Sequence, residues 1–340
     1  MTTANPKISI IIPMYNVEKY LKQSLDSAIN QTLKDIEIII IDDCSTDNSL
    51  ALAQDYAKND KRIVVLSQEF NQGQGIARNK ALDIASGEYI MFLDPDDWFE
   101  IDACEKAYNQ ISTNNNEIVF FNLYSWKERN GKLGKRKPAD TRLKPFEQIK
   151  TNPHINLCEL KTNFIHSSWV WAQIYSRKFL NDNNVRFSND RFAEDVPFFI
   201  KACVYSQDVS ILDEPLYNYR KKIGTAVINY FEYSESILSA KEKARKIILE
   251  SGKMEQFWQH YIVYEIGSDA LHFKNFAKGN KKIRKDLFKN IKNKFLDIQA
   301  NTSKEILKKS SAYWDFKLIL ECNSYEEYKI KRFFKKIFKN

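Results

Sequence analysis

The sequence lacks the cysteine patterns that define several protein classes. It has five cysteines, an odd number, and none of them forms a Cys-x-x-Cys pair, which argues against a zinc site and against a disulfide framework. The cysteines are scattered widely along the chain, at Cys44, Cys104, Cys158, Cys203 and Cys322. We therefore expect reduced thiols in a cytoplasmic protein.

Long apolar runs and the common phosphate-binding signatures are also absent. No apolar run approaches the length of a membrane span, and the N-terminus shows no signal peptide. There is no P-loop and no Gly-x-Gly-x-x-Gly, and the glycine-containing segment 71–75 does not directly follow a predicted strand. These absences weigh against a membrane-spanning protein and against a dinucleotide site.

The chain has instead a large apolar fraction and an uneven charge. Of its 340 residues 43% are hydrophobic, with 22 Phe and 17 Tyr, which is enough for one large domain or two ordinary ones. Residues 230–340 carry 24 Lys and Arg against 14 Asp and Glu, whereas the remainder carries 28 against 30. The net charge of +8 is therefore a property of the C-terminal third.

The first hundred residues alternate between apolar segments rich in β-branched residues and segments of helical period. The predicted strands are 7–12, 36–41, 63–66 and 89–93. This alternation predicts βαβ units with right-handed crossovers, and hence a mostly parallel α/β sheet flanked by helices. Further along, we predict a helix over 101–113, a strand over 117–124, an exposed loop or hairpin over 127–150, and helices alone from 232 onward.

Polar clusters follow three of the predicted strands, at 13–16, 42–43 and 94–97. Ligands of such sheets bind beyond the carboxyl ends of the strands, so three clusters at that edge are hard to explain as unrelated helix caps. Asp94, Asp96 and Asp97 would repel one another unless a cation intervenes, and a hard divalent metal prefers such oxygen ligands. The alternative is a solvated turn with a helix N-cap, and we assign Asp97 to that cap.

Three clusters in the middle of the chain each have two interpretations. Trp169 and Trp171 either pack in the core or form a platform for sugar stacking. Glu194 and Asp195 precede an apolar helix and would in isolation be explained by its dipole. The basic segment 220–222 follows a strand-like segment and is either a solvated loop or an anion clamp.

The C-terminal segment 328–338 is predicted to be an amphipathic helix. One face is apolar, with Ile330, Phe333, Phe334 and Ile337, and lysines and an arginine fill the rest. This pattern is typical of a helix on an anionic membrane surface, and it fits a helix that packs on its own domain or on a partner subunit equally well. Nucleic acid is the weaker option and is not expected, because no nucleic-acid motif accompanies these lysines.

Together these segments resemble a family 2 inverting glycosyltransferase of the GT-A fold. The matching segments are 10–16, 40–47, 75–79, 85–97 and 193–195, an ordered set within residues 7 to about 225. The resemblance implies a nucleotide-sugar-binding half over 1–100 and an acceptor-side half over 101–229. A basic helical region over 230–340 would follow.

The resemblance also implies roles at the nucleotide. Pro13 and Tyr15 are expected to line the nucleobase pocket, and Asp43 to hydrogen-bond the base, with Asp42 supporting that turn. Arg78 is expected to approach the nucleotide or its diphosphate. The donor implied is a UDP-linked hexose.

Further roles concern the metal and the chemistry. Asp94 and Asp96 match the DxD motif, with Asp94 toward the ribose and both available to Mn²⁺ or Mg²⁺. Asp195 matches the catalytic base, and Arg220 or Lys222 is expected at the diphosphate. Glu194 and Trp171 are expected on the diphosphate and acceptor side.

Two departures from the family accompany this resemblance. Cys44 stands where the family often has Gly, a change that is tolerable if φ is negative there. Gln173 stands where many relatives have Lys, which we expect to alter acceptor-side contacts.

The chemistry gives an independent reason for these residue types. Negative charge develops on a leaving diphosphate, which a carboxylate-held metal and a basic side chain stabilise, while the acceptor hydroxyl needs one base. A hydrolase would use two carboxylates and no diphosphate site. The hypothesis is thus an inverting hexosyltransferase that acts on a glycan or lipid-linked saccharide, cytoplasmic and peripheral at the inner membrane face. Its rivals are a nucleotidyltransferase and an inactive relative that binds membranes or polyanions.

Overall fold

The computed structural model describes residues 6–138, 157, 169–222, 230–276, 281–310 and 312–337. The chain divides into two compact units, Met1–Val227 and Ile228–Asn340. The first unit is an α/β domain and the second is built from helices. The α/β class followed by a helical region agrees with the sequence-based prediction.

The first half of the sheet is parallel and forms the core. Its strands are β1 (Ile8–Met14), β2 (Ile36–Asp42), β3 (Ile63–Ser67) and β4 (Tyr89–Phe92), in the order β3-β2-β1-β4. The crossovers run through helices α1 (Glu18–Ile29), α2 (Ser49–Asn59) and α3 (Gln74–Ile84). Every residue of β1 is buried because helices cover both faces of this central strand. Pairing of Met14 with Asp42 and of Asp42 with Ser67 brings the strand ends to one edge.

The second half makes the sheet mixed. It contains β5 (Trp98–Phe99), β6 (Ile118–Arg129), β7 (Lys132–Pro138), β8 (Gln173–Ser176) and β9 (Val209–Lys222), with helices α4 (Ala103–Thr113), α5 (Arg177–Asp182) and α6 (Asp195–Tyr205). β8 lies antiparallel between β4 and β6, while β6 and β9 are parallel. The sheet is therefore parallel over β1–β4, and beyond them it combines the parallel pair β6–β9 with antiparallel pairs made by β8, β7 and β5.

Local predictions can be compared with these bounds. The hairpin predicted over 127–150 is present as β6 and β7 up to Pro138, and the rest of that range lies outside the described residues. The segment 167–175, which carries Trp169 and Trp171, alternates in sequence like a strand, but β8 begins only at Gln173, and residues 167 and 168 are likewise not described. The assignment of Asp97 to a helix cap is wrong, because strand β5 follows it and α4 begins at Ala103.

The second unit contains α7 (Tyr230–Glu250), α8 (Met254–Phe276), α9 (Lys281–Asn301), α10 (Lys304–Lys308), α11 (Tyr313–Glu321) and α12 (Tyr325–Ile337). Tyr328 and Arg332 of α12 both donate hydrogen bonds to Asp315 of α11, at 2.9 and 3.1 Å. Ile330, which belongs to the predicted apolar face of this helix, is 57% exposed. Among the described helices, none has both the length and the apolarity needed to cross a bilayer.

Candidate active site

A tight turn after β4 fixes the three aspartates that dominate the sequence. Asp97 donates its backbone N–H to the Asp94 carbonyl at 3.0 Å. Its buried carboxylate accepts hydrogen bonds from the Tyr217 hydroxyl at 2.9 Å and from the Arg220 backbone N–H at 2.6 Å. Burial and the two neighbouring aspartates raise the pKa of Asp97 well above its usual range. Asp97 therefore anchors the turn to β9, and the other two aspartates are left to face the cleft.

Asp94 and Asp96 each pair with a cation and line a cleft of about 360 Å³ at the carboxyl edge of the sheet. The Asp94 Oδ1 accepts from Arg78 Nη2 at 2.7 Å, and the Asp96 Oδ2 lies 2.7 Å from Lys222 Nζ. Burial raises the pKa of Asp94, and Arg78 opposes that rise. Each carboxylate thus has one oxygen committed to a protein cation.

The second oxygens of these two carboxylates suit a divalent metal. No described residue hydrogen-bonds to Asp94 Oδ2 or to Asp96 Oδ1, and both side chains line the cleft. Among the described residues there is no group of three or more His, Cys, Asp or Glu that would hold a metal alone. Two carboxylates completed by water and substrate phosphates are a usual ligand set for Mg²⁺ and similar ions, so these residues fit one.

Arg78 of α3 was predicted to approach the nucleotide, and the structure buries it between two carboxylates. Its Nη1 donates to Glu194 Oε1 at 2.7 Å, and Nη2 donates to Asp94 Oδ1. The guanidinium also lies over the Phe187 ring, 5.1 Å from its centroid, while Nε has no hydrogen-bond partner. Burial alone would lower the pKa of Arg78, but the surrounding carboxylates raise it. Arg78 therefore ties the turn after β4 to the segment that carries the predicted base.

Helix α3 positions that segment through two further residues. The Asn79 side chain makes paired hydrogen bonds, both 2.9 Å, with the backbone N–H and carbonyl of Phe187. A Cβ on Gly75 would lie 2.5 Å from the Ser188 carbonyl oxygen, so only glycine allows this approach. Ala193 has φ of +58°, an unusual conformation for a residue with a side chain. The segment before α6 is thus held in one strained conformation by α3.

Asp195, the predicted catalytic base, is the first residue of α6. Burial and the negative charge of Glu194 raise the pKa of Asp195 to about 7, while Arg78 opposes the rise. Burial raises the pKa of Glu194 as well, and its ion pair with Arg78 counters this. A carboxylate with a pKa near neutrality is well matched to accept a proton from a hydroxyl group.

The predicted nucleotide residues lie at the same edge. Pro13, Tyr15 and Asp43 line the cleft, and Tyr15 is 43% exposed. Asp43 accepts hydrogen bonds from Gln68 Nε2 at 2.6 Å and from the backbone N–H groups of Gln72 and Gly73 at 2.7 and 2.8 Å. Its carboxylate therefore shapes the loop before α3.

Asp42 supports the adjacent turn, as predicted, by accepting from the Ser45 backbone N–H at 3.2 Å and the Ser67 hydroxyl at 3.2 Å. Cys44 between these residues has φ of +65°, so the condition of a negative φ is not met and this residue lies in the left-handed region. Arg191 and Phe192 also line the cleft, and sequence reasoning missed them because only the acids that follow them stood out.

Arg220 and Lys222 of β9, both predicted at the diphosphate, differ in their surroundings. The Arg220 guanidinium donates to the Asp96 carbonyl at 2.7 Å, to Glu128 Oε2 at 2.9 Å and to Gln23 Oε1 at 2.5 Å. It is 7% exposed, so it braces the turn after β4. Lys222 is the cation beside the Asp96 carboxylate. Sequence reasoning missed Glu128 and Gln23, which lie far from the motifs in sequence.

Trp171 lies next to β9, with its ring 4.3 Å from that of Tyr217 and 5.3 Å from that of Tyr219. It is 7% exposed and is not among the residues that line the cleft. Gln173, the departure from the family pattern, is buried in β8 and accepts a hydrogen bond from the Tyr175 hydroxyl. The Trp171 ring contacts Tyr217, whose hydroxyl donates to Asp97 of the aspartate turn.

The chain has relatives of known name. It is 35% identical to the uncharacterized glycosyltransferase EpsJ of Bacillus subtilis over 223 residues, which are 64% of this chain and 61% of EpsJ. It is 34% identical to the poly(ribitol-phosphate) beta-glucosyltransferase of Bacillus spizizenii over 261 residues, 72% of this chain but 39% of that enzyme. The chain thus spans less than two thirds of the length of either relative.

Solved structures share the fold. TarS residues 1–349 of S. aureus in complex with UDP-GlcNAc matches with a TM-score of 0.58 and 23% identity, covering 80% of this chain and 87% of that one. The mannosyltransferase PcManGT of Pyrobaculum calidifontis, in complex with GDP-Man and Mn²⁺, matches with a TM-score of 0.50 and 14% identity, covering 98% and 89%. The family model named Glycosyl transferase family 2 matches residues 9–179. The chain therefore belongs to glycosyltransferase family 2 and is a glycosyltransferase of the GT-A type.

Proposed function

We propose that this glycosyltransferase moves a hexose from a UDP-sugar to a saccharide or lipid-linked saccharide, with inversion at the sugar carbon and with Mn²⁺ or Mg²⁺ as cofactor. The observation that carries the proposal is the pair of ion pairs made by Arg78. They join Asp94, on the turn that also carries Asp96, to Glu194, the neighbour of Asp195. This edge of the sheet thus combines a candidate site for a metal and a diphosphate with one separate carboxylate, Asp195, whose pKa is about 7.

In this proposal Asp195 acts on the nucleophile and Lys222 acts on the leaving group. Asp195 accepts the proton of the acceptor hydroxyl as its oxygen attacks the anomeric carbon from the side opposite the diphosphate. Lys222, beside Asp96, faces the negative charge that develops on the departing UDP. One displacement at one carbon inverts its configuration.

A metal would be held by Asp94 Oδ2, Asp96 Oδ1 and the donor diphosphate. When bound it supplies Lewis-acid stabilisation of the leaving oxygens. The TarS complex with UDP-GlcNAc supports a UDP-linked donor, and the relative named as a poly(ribitol-phosphate) beta-glucosyltransferase supports transfer of a hexose to a polymeric acceptor.

The assay that tests this proposal measures the released product. The purified chain is incubated with a panel of UDP- and GDP-hexoses and, in a parallel reaction, with UTP and a hexose 1-phosphate. Each reaction contains Mn²⁺, Mg²⁺ or EDTA, and UDP, GDP and pyrophosphate are quantified. We expect UDP release that depends on the metal. Release of pyrophosphate would support the rival nucleotidyltransferase, and the anomeric configuration of the product, read by NMR, would show whether inversion occurs.

We also propose that residues 328–340, a basic segment that begins within α12, contact an anionic membrane surface. The exposure of Ile330 supports this, because the described face that packs on α11 carries Tyr328 and Arg332 instead. Ile330→Ser should lower partitioning to phosphatidylglycerol vesicles several-fold, with Ile101→Ser, at a similarly exposed position in the first unit, as the control. Equal partitioning of all three proteins would rule the contact out.

A further inference from the structure

The ring of Tyr20, in helix α1, lies close to two cations of strand β9. The Lys222 Nζ lies 4.2 Å from the centroid of this ring, and the central carbon of the Arg220 guanidinium lies 4.8 Å from it. The Nζ of Lys19, in the same helix, also lies 4.8 Å from the centroid. An aromatic face attracts a cation that lies within about 6 Å of its centre, so Tyr20 attracts three cations at once.

The hydroxyl of Tyr20 fixes the position of this ring. It donates to Glu128 Oε1 at 3.1 Å, and Glu128 Oε2 accepts from Arg220 Nη1 at 2.9 Å. Glu128 is 5% exposed, and its Oε1 also pairs with Lys19 at 3.1 Å. Tyr20 is therefore anchored to β6 and β9 by a buried carboxylate, while Lys222 contacts its ring.

Lys222 also pairs with the Asp96 carboxylate, whose Oδ2 lies 2.7 Å from Nζ. The Lys222 side chain is 30% exposed, so burial alone does not fix its position. A second cation on the other oxygen of Asp96 would weaken this ion pair, because like charges that share one carboxylate repel each other. The attraction between the Tyr20 ring and the Lys222 ammonium does not depend on that carboxylate.

We infer that Tyr20 is a positioning residue for the transfer reaction: its ring holds the Lys222 ammonium beside the turn after β4, where that ammonium faces the departing UDP. This inference rests on the proposed function. Fully ionised UDP carries one more negative charge than the diphosphate of a UDP-sugar. A correctly placed ammonium therefore stabilises the leaving group more than the bound donor, so the Tyr20 ring should affect kcat and UDP binding more than the donor KM.

Kinetics and calorimetry in the presence of Mn²⁺ test this inference. Tyr20→Leu and Tyr20→Met remove the ring but keep an apolar side chain, whereas Tyr20→Phe keeps the ring and removes the hydroxyl. Each is also combined with Lys222→Met. The control is Tyr108→Leu, because the Lys7 Nζ lies 4.5 Å from the centroid of the Tyr108 ring, and Tyr108 is not among the described residues that line the cleft.

The measurements are kcat, the donor KM, the Kd of UDP and the melting temperature. Tyr20→Leu and Tyr20→Met should lower kcat and weaken UDP binding about three- to tenfold, with the donor KM within about twofold of the wild type. Tyr20→Phe should keep kcat and UDP binding, although it loses the hydrogen bond to Glu128. In the Lys222→Met background, loss of the ring should change neither value further, because no ammonium is left to hold. Tyr108→Leu should change the melting temperature alone.

Three results would overturn the positioning role of Tyr20. They are wild-type kcat and UDP affinity in the variants that lack the ring, an equal loss in Tyr20→Phe, and a loss that persists in the Lys222→Met background. A lower melting temperature without the changes in kcat and UDP binding would show a structural role only. In each of these cases the wild type still releases UDP from its donor, whereas a wild-type chain that turns over no UDP-sugar would refute the proposed function itself.

Discussion

Removal of the Arg78 guanidinium should destabilise the first unit more than removal of any surface cation. Arg78 is 2% exposed and is the partner of two carboxylates, each at 2.7 Å. In Arg78→Met the alkyl stem stays while Asp94 and Glu194 lose their cation. Breaking a buried ion pair in this way costs about 3–5 kcal/mol, because the remaining charge is left without compensation.

The control is Lys58→Met in the same unit. Lys58 lies 2.7 Å from Asp55, their side chains are 74% and 67% exposed, and such a surface pair contributes about 0–1 kcal/mol. Urea unfolding, followed by far-ultraviolet circular dichroism, gives the free energy of unfolding of the wild type and of both variants. Adding Glu194→Gln to Arg78→Met should restore part of the loss, since a neutral amide needs no cation.

The destabilisation caused by Arg78→Met should depend on pH in a defined direction. Without Arg78 the pKa values of Asp94 and Glu194 rise further above their unfolded-state values, because the factor that lowers them is gone. Groups with raised pKa values in the folded state favour folding at low pH, and this contribution is lost as pH rises through the folded-state pKa. The destabilisation of Arg78→Met should therefore be larger at pH 8 than at pH 5. A cost below about 1 kcal/mol, or one independent of pH, would refute the assignment of Arg78 as the buried counter-ion.

Three further predictions concern catalysis, metal binding and backbone strain. The rate of transfer should fall as pH drops below about 7, the pKa of Asp195. Asp195→Asn should lower kcat about 10²- to 10⁴-fold while UDP-sugar binding is retained. Loss of UDP-sugar binding in this variant would contradict the role of Asp195 as base. Lys222→Met should tighten donor-free Mn²⁺ binding about two- to fivefold by calorimetry, because the ammonium competes for Asp96; weaker binding would contradict this. Cys44→Gly should stabilise the chain by about 0.5–1 kcal/mol in thermal unfolding, since glycine adopts the observed φ of +65° more readily. A lowered melting temperature of this variant would exclude backbone strain at Cys44.

Local sequence patterns predicted the strands and the edge at which the polar clusters meet. Continuous runs such as Ile8–Ile12 and Ile36–Ile41 can only be central strands, and the side chains that follow them share an edge because parallel strands point the same way. The order and direction of β8, β6 and β9 did not follow from local pattern. Those strands pair across long stretches of sequence, so local patterns do not indicate their order or direction.

The partners of the site residues were harder to predict than the residues themselves. Arg78 and Glu194 lie 116 positions apart, and their contact depends on the approach of α3 to the segment around Ser188 that Gly75 permits. Likewise Asp97 pairs with residues of β9 more than a hundred positions away. A cap and a buried anchor have the same local sequence, so only the tertiary structure separates them.

Four carboxylates lie close together at this site, and Arg78 compensates their charges only in part. Burial raises the pKa values of Asp94, Asp97, Glu194 and Asp195, which shows that each ionised carboxylate is held at a cost to stability. Arg78 compensates Asp94 and Glu194 but leaves Asp195 with a pKa near neutrality. Full compensation would lower that pKa. In the proposed mechanism the incomplete charge balance would therefore suit Asp195 to accept a proton at neutral pH.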